Sequence, residues 1–194
     1  MNSIFIGMFA LSMFGWGDRP YNGLEVSQVY FQDNPLSADP ALNGRFNKTQ
    51  GLAIGGRDIS QVNDWFRFGF GGHVFKLDDP GKLPNDHLLY EGGVLGWNLE
   101  FTPSDYVSFG TFFGGGASTF SVRGQGLANI DETNYFGVAN PFLKFRLPIF
   151  SEAELNLTLS TYQLSVPAQT IDGKGNGYQP SKLMDQKISL EFVW

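Results

Sequence analysis

The chain has 194 residues, with 19 Asp or Glu against 13 Lys or Arg, and therefore a formal net charge of −6. This acidic balance argues against a nucleic-acid partner, because such a partner requires a basic surface. The absence of Cys excludes a disulfide framework, a thiol nucleophile and a thiolate metal site. Only 16% of the residues are charged, whereas 25 are Gly and 15% are aromatic. Soluble domains usually have about a quarter of their residues charged.

The N-terminal segment, residues 1–22, contains the one long uncharged apolar stretch, at residues 1–17. This stretch is shorter than the roughly 20 residues that a spanning helix needs. Residues 4–14 resemble the apolar part of a signal peptide, but residues 1–3 lack its positive charge. We predict that residues 1–22 lie outside the main domain, as an amphipathic helix, a plug or a leader remnant.

From residue 23 onward, apolar residues recur at every second position, which indicates β-strands with one apolar and one polar face. Within residues 64–77, for example, Phe66 and Phe68 fall on one face, and Arg67 and His73 on the other. The predicted strands are 23–32, 44–57, 64–77, 88–101, 106–122, 133–147, 152–166 and 183–194. Most have roughly 11 to 17 residues, longer than the 5 or 6 usual in soluble proteins and long enough for a tilted crossing of a bilayer.

The connections between these strands alternate in length. Short turns are predicted at 57–63, 102–105 and 148–151, and long polar loops at 33–43, 78–87, 123–132 and 167–182. Outer-membrane barrels have short turns on one side of the membrane and longer loops on the other. The alternation therefore favours a membrane barrel over a soluble lipocalin-like barrel.

The last strand ends in a pattern of its own. Ile188, Leu190, Phe192 and Trp194 alternate with polar residues up to the C-terminus. This pattern resembles the terminal signal of bacterial outer-membrane β-barrel proteins, which end on an aromatic residue. That residue is usually Phe, so Trp194 departs from the common form. The resemblance implies that the barrel-insertion machinery recognises this strand.

Residues 23–194 resemble, as a pattern, the small OmpA-, OmpW- and PagP-like barrels, although no family-specific motif is present. The expected fold is all-β: an antiparallel up-and-down transmembrane β-barrel of eight strands, with a non-barrel segment before it. The resemblance implies a bacterial outer-membrane location in contact with outer-membrane lipid and lipopolysaccharide.

Several charged residues fall on the inner face of the expected barrel, near its short turns. They are Arg67, Glu100, Lys144, Arg146, Glu152, Glu154, Lys187 and Glu191. Buried charges must be paired, so we predict a salt-bridge network that closes the lower lumen, with an ion-conducting constriction as the alternative. Above it, inward-facing glycines leave space either for side chains such as Phe112, Phe136 and Tyr162 or for a cavity.

Aromatic residues cluster beside the short turns. Trp97, Phe101, Tyr106 and Phe150 are predicted to form an aromatic girdle at the membrane interface, with Trp194 beside them.

The sequence offers no convincing catalytic set. The two histidines, His73 and His87, do not form the His-x-Ser motif of PagL-like deacylases, and Asp86-His87 and Ser104-Asp105 do not match the placement in PagP-like acyltransferases. Acidic residues near His87 could hold a divalent cation, but a solvated acidic loop is the simpler interpretation. No enzyme activity, cofactor or metal is predicted.

The expected function is therefore structural or a surface interaction, with a protein or another surface partner meeting the long loops. A narrow OmpW-like channel for small solutes is the alternative, and a lipid-modifying enzyme is less favoured.

Overall fold

Eight long antiparallel strands form a closed barrel in the computed structural model. The structure describes residues 20–31, 45–46, 50–125, 130–150, 153–165, 169–170, 177–178 and 182–194. The strands are β1 (Pro20–Phe31), β2 (Gln50–Asn63), β3 (Phe66–Asp79), β4 (His87–Phe101), β5 (Val107–Arg123), β6 (Ile130–Phe150), β7 (Ala153–Ser165) and β8 (Lys182–Val193). Two short strands, Gln169–Thr170 and Gly177–Tyr178, pair with each other outside the barrel sheet. The predicted all-β, eight-stranded, up-and-down barrel is confirmed.

The barrel closes where the first and last strands pair. Gly23 lies opposite Val193, and the register continues to Phe31 opposite Asp185. Asn22 and Trp194 exchange two backbone hydrogen bonds, with N–O distances of 2.8 and 2.9 Å. Closure leaves no strand edge unpaired along this seam, so the backbone donors and acceptors are satisfied within the sheet.

The predicted turn at 57–63 and the predicted strand at 44–57 are wrong in their bounds. Residues 57–63 lie inside β2, and the turn to β3 is the tight Asp64–Trp65 connection. The alternation of short and long connections, counted backward along the chain, placed a turn at these residues. A strand can contain the charge of Arg57 here because Arg57 pairs with acidic side chains inside the barrel.

The bounds of the predicted N-terminal segment also change. β1 begins at Pro20, so residues 20–22 belong to the barrel wall. Residues 1–19 and the predicted loop 33–43 lie outside the described residues, as does most of the loop 167–182. Two other predicted loops are shorter than expected, because β3 continues to Asp79 and β6 begins at Ile130.

The two faces of the wall differ as the alternation predicts. Exposed large apolar side chains cover the outer face; they include Leu24, Val26, Leu52, Ile54, Leu95, Trp97, Phe109, Phe113, Leu143, Phe145, Leu157, Leu159, Ile188, Leu190 and Phe192. Charged and aromatic side chains fill the inner face. Among the described residues, no helix is long and apolar enough to span a membrane.

Candidate functional site

The inside of the barrel contains stacked layers of side chains, beginning with an ion-pair cluster at the short-turn end. Glu154 on β7 accepts hydrogen bonds from Arg67 on β3, with N–O distances of 2.9 and 3.1 Å. Arg146 on β6 also donates to both oxygens of Glu154, and its third nitrogen lies 3.4 Å from the Ser104 carbonyl oxygen in a short turn. This cluster therefore joins strands on opposite sides of the lumen.

A second cluster lies one step further in and is almost completely buried. Lys144 Nζ lies 2.6 Å from Glu100 Oε2 and 3.3 Å from Glu191 Oε2. Arg57 donates to both oxygens of Glu191, and its Nη1 lies 3.7 Å from Glu100 Oε2. The side chains of Glu100 and Glu191 are each only 1% exposed. Each carboxylate therefore faces two cations inside the barrel, which offsets its desolvation.

Neutral side chains complete this second cluster. Ser108 Oγ donates to Glu100 Oε1 at 2.7 Å, and Asn156 Nδ2 donates to Glu191 Oε2 at 3.2 Å. These bonds matter because a buried carboxylate is costly unless its remaining lone pairs are also satisfied.

A third ion pair joins Lys187 on β8 to Glu25 on β1. Ser27 Oγ donates to the same carboxylate at 2.8 Å. The buried His73 on β3 shares a cavity with this pair. Because β1 and β8 form the barrel seam, the pair also lies beside the closure of the sheet.

The structure brings together seven of the eight charged residues proposed for the lumen. Arg67, Glu100, Lys144, Arg146, Glu154, Lys187 and Glu191 each form an ion pair inside the barrel. The side chain of Glu152 lies outside the described residues. Sequence reasoning missed Arg57 and Glu25. The alternation of β1 could have found Glu25, since it shares the inner face with Ser27 and Val29.

A cavity of about 60 Å³ lies among the charged side chains, and Glu25, Arg57, Lys144 and Lys187 form part of its wall. Its wall includes the polar side chains of Asn98, Asn140, Thr158 and Ser160 together with the ring of Phe112. A water needs roughly 10–15 Å³ measured in this way, so the cavity has room for a few waters and for no larger solute.

An apolar layer closes the lumen toward the long loops. Its buried members are Val29, Phe46, Ala53, Phe75, Leu77, Leu88, Tyr90, Val94, Phe120, Val122, Phe136 and Val138, with Phe112 packed against them. Phe46 is fully buried although it lies outside the strands. The upper lumen was predicted either to be filled by side chains or to contain a cavity, and the structure shows it filled by side chains. The side chain of Tyr162 lies outside the described residues.

Inward-facing glycines make room for the rings that fill the lumen. A Cβ on Gly96 would lie 2.9 Å from Phe112 Cζ, and a Cβ on Gly116 would lie 3.0 Å from Phe136 Cζ. The nearest backbone oxygens are closer still, at 2.3 and 2.1 Å. Each ring thus packs against the backbone of the strand at its glycine. A larger residue at either glycine would push the neighbouring ring or strand out of position.

A clamp of long-loop residues holds Phe46 in place. Its neighbour Arg45 binds the Asp86 carboxylate through two nitrogens, and both Nη atoms lie 3.3 Å from the Gln125 carbonyl oxygen. Gly81 has a φ of +68°, and a Cβ there would lie 2.3 Å from Asp86 Cβ and 3.0 Å from Phe46 Cε1. The clamp therefore joins three connections over the mouth of the barrel.

The clamp is expected to depend on pH. The hydrogen bond from Arg45 lowers the pKa of Asp86 below its ordinary value. A carboxyl with a lowered folded-state pKa contributes stability that is present above its unfolded pKa of about 3.9 and is lost as the pH falls through the folded value. We expect cleavage by an acid protease at residues 32–49 to accelerate as the pH falls from about 3.9 through the lower folded-state pKa of Asp86. The Asp86→Asn variant should be cut rapidly even at the upper end of this pH range, where the wild type still resists; equal rates there would contradict the clamp.

The proposed girdle residues lie at the short-turn end of the outer face. Trp97, Phe101 and Tyr106 are exposed, whereas the side chain of Phe150 lies outside the described residues. Trp97 stacks on Phe68 with ring centroids 4.9 Å apart.

The proposed insertion signal lies on the same outer face. Ile188, Leu190, Phe192 and Trp194 are 41–56% exposed, and the two rings stack at 5.6 Å. Their role in insertion stays a prediction.

The described residues show no grouping that resembles a metal centre, since no three His, Asp or Glu side chains lie together in a suitable arrangement. His73 is buried beside Phe75 and Phe112, with ring centroids 6.5 and 5.8 Å away.

Comparison with solved structures identifies small outer-membrane barrels with this architecture. Neisserial surface protein A aligns with a TM-score of 0.54 and 10% identity over 90% of this chain and 95% of its own. The Yersinia pestis attachment invasion locus protein Ail, solved with the heparin analogue sucrose octasulfate, aligns with 0.51 and 7% over 90% and 97%. Pseudomonas aeruginosa OprG aligns with 0.51 and 11% over 93% and 98%. No protein-family model and no curated protein matches the chain. At these identities the likeness concerns the fold.

Proposed function

We propose that the protein is a bacterial outer-membrane barrel with an occluded lumen, which acts as a structural or surface-interaction protein. The observation that carries this proposal is the combination of an apolar outer face with a lumen filled by ion pairs and aromatic rings. An exposed apolar surface of this extent is stable in lipid and not in water. A filled lumen leaves the outer surface and the long loops as the regions that can meet a partner.

The outer-membrane location is supported by the neighbours as well as by the outer face. Ail, Neisserial surface protein A and OprG are outer-membrane proteins, and this chain shares their fold. In this setting the partners are outer-membrane lipid and lipopolysaccharide, and the insertion machinery would act on β8.

The long-loop end is the proposed surface for a protein or other external partner. Ail binds a heparin analogue, which is a precedent for ligand binding by a barrel of this shape. Here Asp78, Asp79 and Glu91 are acidic residues near the upper ends of β3 and β4, where Lys76 is the adjacent base. The local charge favours a partner that carries cationic groups over a polyanion. No catalytic step is proposed for this surface.

Planar-bilayer conductance tests the occluded lumen. We expect the wild-type protein, inserted from detergent, to give no steady conductance above the bare membrane. Pairs of buried charges and a continuous apolar layer lie in series across the lumen, and the intervening cavity of about 60 Å³ is too small for a hydrated path. Reproducible openings of uniform size would contradict the occluded barrel and favour a channel.

One observation favours the channel as a second candidate. The ladder between β6 and β7 pairs Val138 with Leu164 and, in the same register, Phe142 with Ser160, and the described residues between them form no ladder pair. Pro141 lies in this interval and has no N–H to donate. A gap in the pairing of β6 and β7 would allow a small solute to pass between the lumen and the membrane through the barrel wall. If that path operates, Pro141→Val should reduce uptake of a small solute into protein-containing vesicles, whereas unchanged uptake would exclude it.

A further inference from the structure

A groove on the outer face of the barrel lies apart from the lumen and the loops. It encloses about 500 Å³ and is lined mostly by outward-facing residues of β2 to β6, together with the inward-facing residues Phe75, Gly92 and Ser118 of the same strands. Leu52, Ile54 and Val74 form an apolar side, while Gly93 and Ala117, which face each other across β4 and β5, form a low floor. The groove is therefore a depression in the surface that meets lipid.

Packing within the chain does not require the glycine in this floor. A Cβ on Gly93 would meet nothing closer than Val74 Cγ1, at 3.6 Å. By contrast, a Cβ on the inward-facing Gly92 or Gly114 would lie 2.4 or 2.1 Å from a backbone oxygen. The side chain missing at Gly93 leaves space outside the wall, where a ligand rather than the chain itself would occupy it.

Charged residues mark the upper end of the groove. Lys76 and Glu91 line it and lie directly opposite each other on β3 and β4. Glu91 is ten residues above the exposed ring of Phe101 on β4. With about 3.4 Å per residue and a tilt of about 45°, this separation corresponds to a height of about 24 Å. The apolar band of such barrels is about 25 Å tall, so the charged pair lies at the upper membrane interface.

The charges at this level restrict which lipid headgroup could bind beside the groove. Asp78 is a second acid, exposed and two residues above Lys76, so a polyanionic headgroup would meet net repulsion. A headgroup with one phosphate and one primary amine matches the pair, with the phosphate at Lys76 and the ammonium at Glu91.

We propose that this groove binds one acyl chain of a zwitterionic glycerophospholipid that carries phosphate and a primary amine. The apolar length of the groove would take the chain, and Lys76 and Glu91 would bind the headgroup. This inference rests on the proposed membrane location.

Native mass spectrometry of the detergent-solubilised full chain tests the inference, with phosphatidylethanolamine as the probe. The groove-filling variant Gly93→Val/Ala117→Leu should lose affinity by about tenfold or more, because each tenfold corresponds to only about 1.4 kcal/mol of lost contact. The matched control is Gly137→Val/Ala139→Leu. It adds the same groups on the outer face of β6, where a Cβ on Gly137 has its nearest neighbour at 3.9 Å, and these residues do not line the groove. It should bind as the wild type does.

Headgroup variants and competing lipids test the second half of the inference. Lys76→Gln should weaken binding of both phosphatidylethanolamine and phosphatidylglycerol, whereas Glu91→Gln should remove the preference for phosphatidylethanolamine. Equal affinity of the groove-filling and control variants would overturn the site, and tighter binding of phosphatidylglycerol or lipid A by the wild type would overturn the headgroup assignment. Insertion into vesicles is measured in parallel. Failure of the wild type to insert would overturn the proposed function as well, whereas insertion without groove-dependent binding would overturn this inference alone.

Discussion

Replacing Glu191 by Gln should lower the free energy of unfolding by about 3–5 kcal/mol, because removal of one member of a buried ion cluster leaves its partners uncompensated. Glu191 is 1% exposed and faces both Arg57 and Lys144. Gln keeps the size of the side chain and changes its charge. Urea unfolding in the presence of lipid vesicles, followed by tryptophan fluorescence, measures the difference.

Two control variants separate charge from side-chain loss in this measurement. Asp131→Asn removes an acid from an exposed pair with Arg123, 3.7 Å apart, in which both side chains are at least 60% exposed; it should cost less than about 1 kcal/mol. The double variant Glu191→Gln/Arg57→Gln should recover part of the loss, since it also removes one unpaired cation. A loss for Glu191→Gln no larger than that for Asp131→Asn would show that the cluster does not stabilise the barrel.

Replacing Phe46 by Ala should have an effect of similar size. Its ring is fully buried in the apolar layer, and removal of a buried Phe side chain costs about 3–5 kcal/mol. Because Phe46 lies in the connection between β1 and β2, we expect part of this loss to appear as local opening. The measurements are the urea midpoint and the rate of cleavage by a neutral protease at residues 32–49.

A substitution on the outer face controls for general weakening of the barrel. Val62→Ala, at a side chain that is 61% exposed, should leave both the midpoint and the cleavage rate close to those of the wild type. Phe46→Leu should give a smaller change than Phe46→Ala, because much of the apolar volume is kept. If Phe46→Ala left the cleavage rate unchanged, the ring would not hold the connection over the mouth.

The strands could be predicted from the sequence because the alternation of apolar and polar residues is a local property. Each apolar residue of β8, from Ile188 to Phe192, predicts its own face without knowledge of the neighbouring strands. The even number of strands and the alternation of turn lengths then indicated a closed barrel. The inner face could be assigned in the same way, which placed Glu100 and Lys144 on one surface.

Pairing across the lumen could not be derived in this way, because it depends on register. Arg57 and Glu191 are 134 positions apart in the chain, and Arg57 fell at the boundary between a predicted strand and a predicted turn, with no local sign of its partner. Phe46 was placed in the predicted strand 44–57, whereas it lies in the connection before β2, and its burial in the apolar layer depends on contacts with distant strands. The fit of Phe112 against Gly96 likewise depends on which residues face each other across β4 and β5.

Electrophoretic mobility in detergent, with and without boiling, tests the central claim most directly. A closed barrel that folds in the membrane should stay compact in sodium dodecyl sulfate at room temperature and shift to a different apparent mass after boiling. We expect this shift for protein extracted from the outer-membrane fraction. A chain that is soluble without detergent and migrates identically before and after boiling would contradict a membrane barrel.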